Sequence, residues 1–424
     1  MTSQTLPLSH GLRPAASDMV RRICFGLVVA NVAYLAMQII GKNWILDSSG
    51  RPIHTDFTSV YAAGRLVLQG HAAAAYDWTL HYAAENAIVA HSPAAYLGWH
   101  YPPPFLMIAG LLATLPYTIA FLVWIGATLP LYLTTIRAIV GNRIGWLIGG
   151  AFPCLMPNII SGQNGLFTAS LVGGALVLLE SQPLLAGCCL GLLTYKPQFG
   201  ILFPIVLAAG GYWRVMAAAA VSAATLAFAT IVLFGTTPWT EFFHWLPLTS
   251  KALLSQDHTA WADHTDWYKF QSLFALVRLG GGGATLAWAL QSALTVAIAI
   301  MLVAMWRSRQ VAFELKAAGL AVGILLATPY VYLYDLAILA VSGAFLVRLA
   351  IKTGFMPGET IALALITSLV LVLPFLGVPV GLPAAAIAAL LIARRVCTPY
   401  PVRTEEAEVA EALARSLSCG NARS

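Results

Sequence analysis

Apolar runs recur along this chain from about residue 22 to residue 395, each broken by a short polar or Gly/Pro-rich stretch. One water-soluble core cannot hide them. Of 424 residues, 59% are hydrophobic and only 9% are charged. No stretch the size of an ordinary soluble domain remains between the runs. In a bilayer every backbone N–H and C=O must be paired within the protein, so runs of this length are read as helices. The sequence therefore predicts an all-α polytopic membrane protein. Its net charge of +6 fits the excess of Lys and Arg that membrane proteins keep on one side. No nucleic-acid partner is needed to explain it.

The runs predict about 12 crossings, near residues 22–40, 118–137, 144–161, 165–180, 184–195, 199–211, 214–235, 284–306, 314–333, 335–351, 359–376 and 380–395. The first lacks a small-residue cleavage site and reads as an uncleaved helix. The segment YPPPFLMIAGLLATLP (101–116) stands apart. Sixteen residues make a helix of roughly 24 Å, short of the ~30 Å hydrocarbon core, and prolines bound it at both ends. If it does not cross, sixteen Lys and Arg fall on the side of both termini and seven on the other, together the 23 of the chain. Crossing with the N-terminus inside reverses the bias, whereas crossing with the N-terminus outside restores the same tally. Shortness and prolines favour a re-entrant or juxtamembrane helix. Both termini are then cytoplasmic, and 41–117 and 236–283 are outer loops. A cytoplasmic segment, 1–21, precedes the membrane domain, 22–396. A cytoplasmic tail, 397–424, follows it, and its TEEAEVAEALARSL reads as a solvated amphipathic helix.

This topology gathers polar groups on the outer face. In PIHTDFTSVYAAGRLVLQG, Phe57, Val60, Tyr61, Gly64, Val67 and Leu68 recur at helical spacing. That pattern suits a helix lying on the membrane surface, with Thr55 or Asp56 as its N-cap. Asp56 is a cap or a catalytic base, and the two roles are compatible. Lys196 sits in TYKPQ between short apolar runs. A lysine at that depth either snorkels or has a partner, and Pro197 beside it frees backbone groups. SGQNG (161–165) is a plain turn, or Gln163 and Asn164 hydrogen-bond a ligand. Asp335, ending TPYVYLYD, is a helix cap or a buried partner. The loop 255–272 holds Asp257, His258, Asp263, His264 and Asp266, whose spacing matches no standard metal site. Its tryptophans suit a carbohydrate surface or an interfacial belt. Cys24, Cys154, Cys188, Cys189, Cys397 and Cys419 are scattered, with no disulfide framework and no metal-ligand spacing.

HTDFTSVYAAGRLVLQG, WHYPPPFLM, SGQNGLF, LLTYKPQFGILFP, YKFQSLFALVR and TPYVYLYDLAILA resemble, in this order, segments of glycosyltransferase family 87 within the GT-C superfamily. The resemblance spans about residues 22–395. It implies a GT-C fold with an amphipathic outer loop after the first span. It implies a sugar donor on a polyprenyl monophosphate, transfer with inversion, and mannose as the expected sugar. The family's catalytic aspartate falls on Asp56, and its Lys-Pro lysine on Lys196, facing the lipid phosphate. Inverting transfer needs one base for the acceptor hydroxyl. An anionic phosphate leaving group needs positive charge, from Lys196 or Arg65. Tyr61, His100, Tyr101, Gln163, Asn164, Gln198, Lys269, Gln271, Tyr330 and Asp335 are the candidates for holding sugar or acceptor. No cofactor and no metal is expected, the lipid-linked sugar being a co-substrate. The partners expected are the bilayer, that donor and a glycolipid or glycan acceptor, in the inner membrane. TPYVYLYD lacks the histidine expected there in many members, which leaves the acceptor open. A secondary transporter or flippase, or a structural subunit, would use the same span pattern. A carrier would usually set its polar groups at mid-depth and repeat its halves, and no such repeat is evident.

Overall fold

A computed structural model of the chain describes residues 14–89, 96–254, 267–372, 376 and 378–398. These residues form helices and no strand, with isolated backbone bridges at Leu46–Pro52 and Phe270–Tyr332. Helix α1 (Pro14–Ile40) leads. Three short helices follow, α2 (Asp56–Leu68), α3 (Trp78–Asn86) and α4 (Pro104–Ala113), and then the long α5 (Tyr117–Val140). Next come α6 (Ile144–Ala151), α7 (Leu155–Ser161), α8 (Gly165–Leu178), α9 (Pro183–Leu192), α10 (Pro197–Gly200) and α11 (Phe203–Gly210). The chain continues through α12 (Trp213–Phe234), α13 (Thr237–Leu254), α14 (Leu273–Leu279) and α15 (Ala284–Arg307). It ends in α16 (Phe313–Leu326), α17 (Ala337–Thr353), α18 (Glu359–Val372) and α19 (Gly381–Cys397). The 255–266 part of the outer loop, with Asp257, His258, Asp263, His264 and Asp266, lies outside the described residues, as does the tail helix expected beyond residue 398.

Five helices among the described residues are long and apolar enough to cross a membrane: Val20–Ile40, Tyr117–Val140, Trp213–Phe234, Ala284–Arg307 and Leu333–Thr353. A sixth is gained if α6 and α7, bent by 62° at Phe152–Cys154, form one broken span. The protein is thus a multi-pass membrane protein, but by length and composition these helices do not amount to twelve crossings. Expected spans at 165–180, 184–195, 199–211 and 359–376 fold as shorter apolar helices. Proline sets two of the breaks. Pro183 and Pro197 occupy first-turn positions of α9 and α10, where a missing N–H costs nothing, and each excludes the preceding residue from continuing a helix.

The interior is built by α5, α8, α16 and α17, whose packed faces include Phe121, Ile136, Leu166, Val172, Leu320, Ile324, Val341 and Phe345, all at most 1% exposed. Helices α1 and α12 instead turn Val32, Ile40, Phe228 and Leu233 outward, which is how helices facing lipid read. Two ion-pair clusters tie one end of the bundle. Glu314 holds Lys352 at 2.7 Å and Arg348 at 3.4 Å, and buried Arg395 donates Nε–H to Glu359 at 2.6 Å. Asp335, just before α17, marks the opposite end of that helix.

The segment 101–116 forms α4, a ten-residue helix rising about 15 Å, and it packs along α2. Here the sequence expectation for α2 fails. A helix lying on a membrane surface would bury one stripe, yet Phe57 through Gly64 are all buried. Helix α4 packs on the apolar stripe itself, at Gly64 and Val67, and the opposite side, with Thr58, Ser59, Ala62 and Ala63, is buried as well. A Cβ on Gly64 would lie 2.1 Å from the Ala109 carbonyl oxygen. Gly64→Val should therefore force α2 from α4 and cost about 1–3 kcal/mol or more. Thermal denaturation of the purified protein measures this, and an unchanged melting temperature would contradict the close approach.

Candidate active site

Helix α2 begins at Asp56, and its N-cap is Thr55, in extended conformation. The Thr55 N–H donates to Thr58 Oγ1 at 3.2 Å. Of the two candidate caps, the sequence thus uses Thr55. Asp56 is the first helical residue, and its carboxylate stays half-buried at the positive end of the helix dipole. Burial pushes its pKa above the usual carboxylate range. The side chains of Gln163 and Ser161, through hydrogen bonding, and the charges of Lys196 and Lys269 pull in the other direction. The two hydrogen-bonding side chains come from the SGQNG turn, and the two lysines, from two other parts of the chain, act on Asp56 through their charge.

The SGQNG turn joins α7 to α8, and two glycines fit it into place. Gly162 has φ +68°, and a Cβ there would lie 2.6 Å from Phe57 Cβ, next to Asp56. A Cβ on Gly165 would lie 2.1 Å from the Tyr334 carbonyl oxygen. The Gly162 carbonyl accepts from Trp124 Nε1 at 3.0 Å. Gln163 and Asn164 are 7% and 2% exposed, so neither is an ordinary surface turn residue. Asn164 Nδ2 donates to the Tyr101 hydroxyl at 2.7 Å. The Tyr195 hydroxyl donates to the Asn164 carbonyl at 3.2 Å and lies 2.6 Å from Thr168 Oγ1.

Lys196 falls in the break between the Leu193–Tyr195 3-10 turn and α10. It does not snorkel. It is 5% exposed, and Nζ donates to Asp335 Oδ1 at 2.6 Å. The rings of Phe199 and Tyr334 lie 5.6 and 5.1 Å from the ammonium. Asp335 is 1% exposed, and its Oδ2 accepts the Tyr332 N–H at 3.1 Å. Of the two readings the sequence offered it is the buried partner, and the N-cap of the turn is Tyr332, whose N–H Asp335 takes up. The backbone around it is held in turn. Asn158 Nδ2 donates to the Tyr334 carbonyl at 3.1 Å, and Cys154 Sγ to the Leu333 carbonyl at 3.3 Å.

Several expected site residues stand elsewhere. Arg65 is exposed. Nine residues beyond Asp56, it sits about half a turn round and roughly 13 Å along the helix, so it does not join the carboxylate. Tyr61 is buried, with its hydroxyl on the Leu115 carbonyl at 2.8 Å. His100 is exposed, its Nε2 3.2 Å from the Leu97 carbonyl. Gln271 Oε1 accepts the Gly381 N–H at 2.8 Å, a tie that fixes α19. The Tyr330 hydroxyl is hydrogen-bonded to Ser250. Gln198 is half-buried on α10, and Lys269 is exposed but its charge reaches Asp56. Sequence reasoning did not single out Ser161, Asn158 or Tyr195. The signal for Asn158 was an amide in an apolar run, which demands a partner. Among the described residues no His/Cys/Asp/Glu group has the arrangement of a metal site.

The Lys196–Asp335 pair is buried, so removing one partner leaves the other as an unpaired buried charge. Asp335→Asn or Lys196→Met alone should cost roughly 3–5 kcal/mol, and the double variant much less than the sum. A double-mutant cycle on denaturation midpoints measures the coupling. Single costs below about 1 kcal/mol would assign the pair to the surface class.

The family model of glycosyltransferase family 87 matches residues 99–329. The match contains Tyr101, Gln163, Asn164, Lys196 and Lys269, while Asp56 and Asp335 flank it. A search of the curated proteins and a search of the solved structures each returned no match. With the matched segment covering more than half of the chain and carrying most of the side chains that surround Asp56, this membrane protein belongs to glycosyltransferase family 87.

Proposed function

We infer that the enzyme transfers a hexose, mannose by preference, from a polyprenyl monophosphate to an envelope lipid or glycan, with inversion. The observation that carries this reading is a carboxylate, Asp56, held by the Gln163 and Ser161 side chains and under the charge of two lysines, in a chain of this family. A half-buried carboxylate with an elevated pKa suits a general base. In the step proposed, Asp56 takes the acceptor hydroxyl proton as that oxygen attacks the anomeric carbon. The bond between that carbon and the phosphate oxygen breaks from the opposite face. The electron pair leaves with the polyprenyl phosphate, whose charge is met by Lys196 and Lys269. One ammonium proton of Lys196 lies on Asp335, and two more remain for phosphate oxygens. Tyr101, Gln163 and Asn164 would orient the sugar.

The proposed setting is the cell membrane, with both termini cytoplasmic and the Asp56 end of the bundle on the outer face. The ion-paired Arg348, Lys352 and Arg395 then fall on the cytoplasmic side, in keeping with the positive-inside bias.

Asp56→Asn keeps the shape of the site and removes the base. It should fold normally yet lose transfer from a polyprenyl phosphosugar by about 10²–10⁴-fold, read by product formation in membranes. Wild-type activity should fall as acid protonates Asp56, at a pH above the usual carboxylate range. Full activity of Asp56→Asn would remove Asp56 from the chemistry.

A further inference from the structure

Helix α3 carries two titratable side chains that the proposed transfer step does not use. Asp77 caps it, its Oδ1 accepting from the Thr79 and Leu80 N–H groups at 2.9 Å. His81 and Glu85, one turn apart, are both 0% exposed. His81 Nε2 lies 3.1 Å from the Ser59 carbonyl oxygen on α2. A carbonyl only accepts, so Nε2 carries a hydrogen. The other ring nitrogen, Nδ1, faces Glu85 Oε1 at 3.4 Å, while Glu85 Oε2 accepts the Leu97 N–H at 3.3 Å. In a neutral ring with Nε2 protonated, Nδ1 is a lone pair, and an ionised Glu85 would present another. Neither atom has a donor among the described residues. Two buried acceptors facing one another are costly. One proton between them satisfies both.

We propose that His81 and Glu85 hold one proton between them, that this proton fastens α3 to α2, and that the two are positioning residues for Asp56. Ser59 is three residues on from Asp56, in the first turn of α2. Its Oγ donates to the Gly98 carbonyl at 2.5 Å, in the segment that leads to Tyr101. The dyad thus grips the turn that holds the carboxylate and the non-helical segment that leads to the tyrosine.

Burial supports this placement of the proton. It pushes Glu85 up to about 7 and His81 down to about 3, so the proton rests on Glu85. The charge of Asp56, from α2, also raises Glu85, whereas the Leu97 and Gly98 N–H groups lower it. His100 lowers His81 further. The Tyr96 ring lies 5.7 Å from His81, and its hydroxyl senses Glu85 and Asp77. Glu85 is raised above its unfolded value, so its contribution to stability is full below the unfolded pKa. That contribution is lost as pH rises through about 7. Above that pH the two acceptors repel and the grip on α2 slackens. A glutamine at position 85 would keep both bonds with no proton to lose, its oxygen on Leu97 and its amide on Nδ1.

The catalytic half of this proposal rests on Asp56 as the base, so the test reads the proton separately. Purified full-length wild type, Glu85→Gln and Glu85→Ala are compared from pH about 6 to about 9. The Glu85 component of the protonated-carboxyl infrared band, the part that Glu85→Gln removes, should be present in wild type at the acid end and fade at the alkaline end. The wild-type melting temperature should fall with pH relative to that of Glu85→Gln. In transfer from a polyprenyl phosphosugar, wild-type kcat should drop about tenfold per pH unit beyond the alkaline limb, with KM unchanged. Glu85→Gln should keep its kcat there, and Glu85→Ala should be low throughout. A wild type without that component, or a Glu85→Gln variant that is destabilised at every pH, overturns the proposal. If even wild type fails to transfer the sugar, the Asp56 reading falls, while the infrared band still decides the proton.

Discussion

A lysine and an aspartate, Lys196 and Asp335, meet at 2.6 Å with almost no exposure, and the candidate site is arranged around them. Neither charge is tolerable at that depth alone. The pair therefore fixes where two breaks in the helical bundle must come together: the Leu193–Pro197 kink and the Leu333–Leu336 turn ahead of α17. The SGQNG turn packs against the second of these, with Gly165 directly against the Tyr334 carbonyl. It carries Gln163 to Asp56. Each loop is thus placed by its neighbour rather than by its own sequence.

The same logic explains why the chain breaks its helices at the site. A continuous helix satisfies its own backbone and offers a ligand nothing but side chains. The breaks at Phe152–Cys154 and at Lys196 release backbone groups inside the protein, where side chains such as Asn158 take them up. On the other flank, α2 is gripped by α3 and α4, and its N-cap position is Thr55, whose N–H Thr58 takes up. Asp56 is the first helical residue, and its carboxylate is held by Gln163 and Ser161.

Much of this was legible in the sequence. The apolar runs located α5, α12, α15, α17 and the membrane part of α1 to within a few residues, because each run is long and continuous, and Pro130 inside α5 does not end that helix. Lys196 and Asp335 were each visible as costly polar groups in apolar surroundings, but nothing in one sequence pairs residues 139 apart. Helix α2 was misread because hydrophobic spacing counts large residues. Its second buried face is made of Thr58, Ser59, Ala62 and Ala63, small residues that the spacing does not count. His81 and Glu85 were passed over for the same kind of reason. At i, i+4 on a short helix in a polar loop they look like an ordinary exposed pair, and only the packing of α3 on α2 puts them out of water. Tyr61, Gln271 and Tyr330 are the converse. Their residue types suit sugar binding, but their polar atoms are spent on Leu115, Gly381 and Ser250.

The central claim is that this end of the bundle uses a sugar carried on a lipid phosphate. The most direct measurement is mass spectrometry of lipids and glycans after purified enzyme is incubated with a polyprenyl monophosphate sugar and an envelope lipid extract. The account predicts one added hexose on an acceptor, with polyprenyl phosphate released in equal amount and no requirement for a nucleotide sugar. Transfer only from a nucleotide sugar, or intact donor moved across a vesicle membrane with no transfer product, would contradict it.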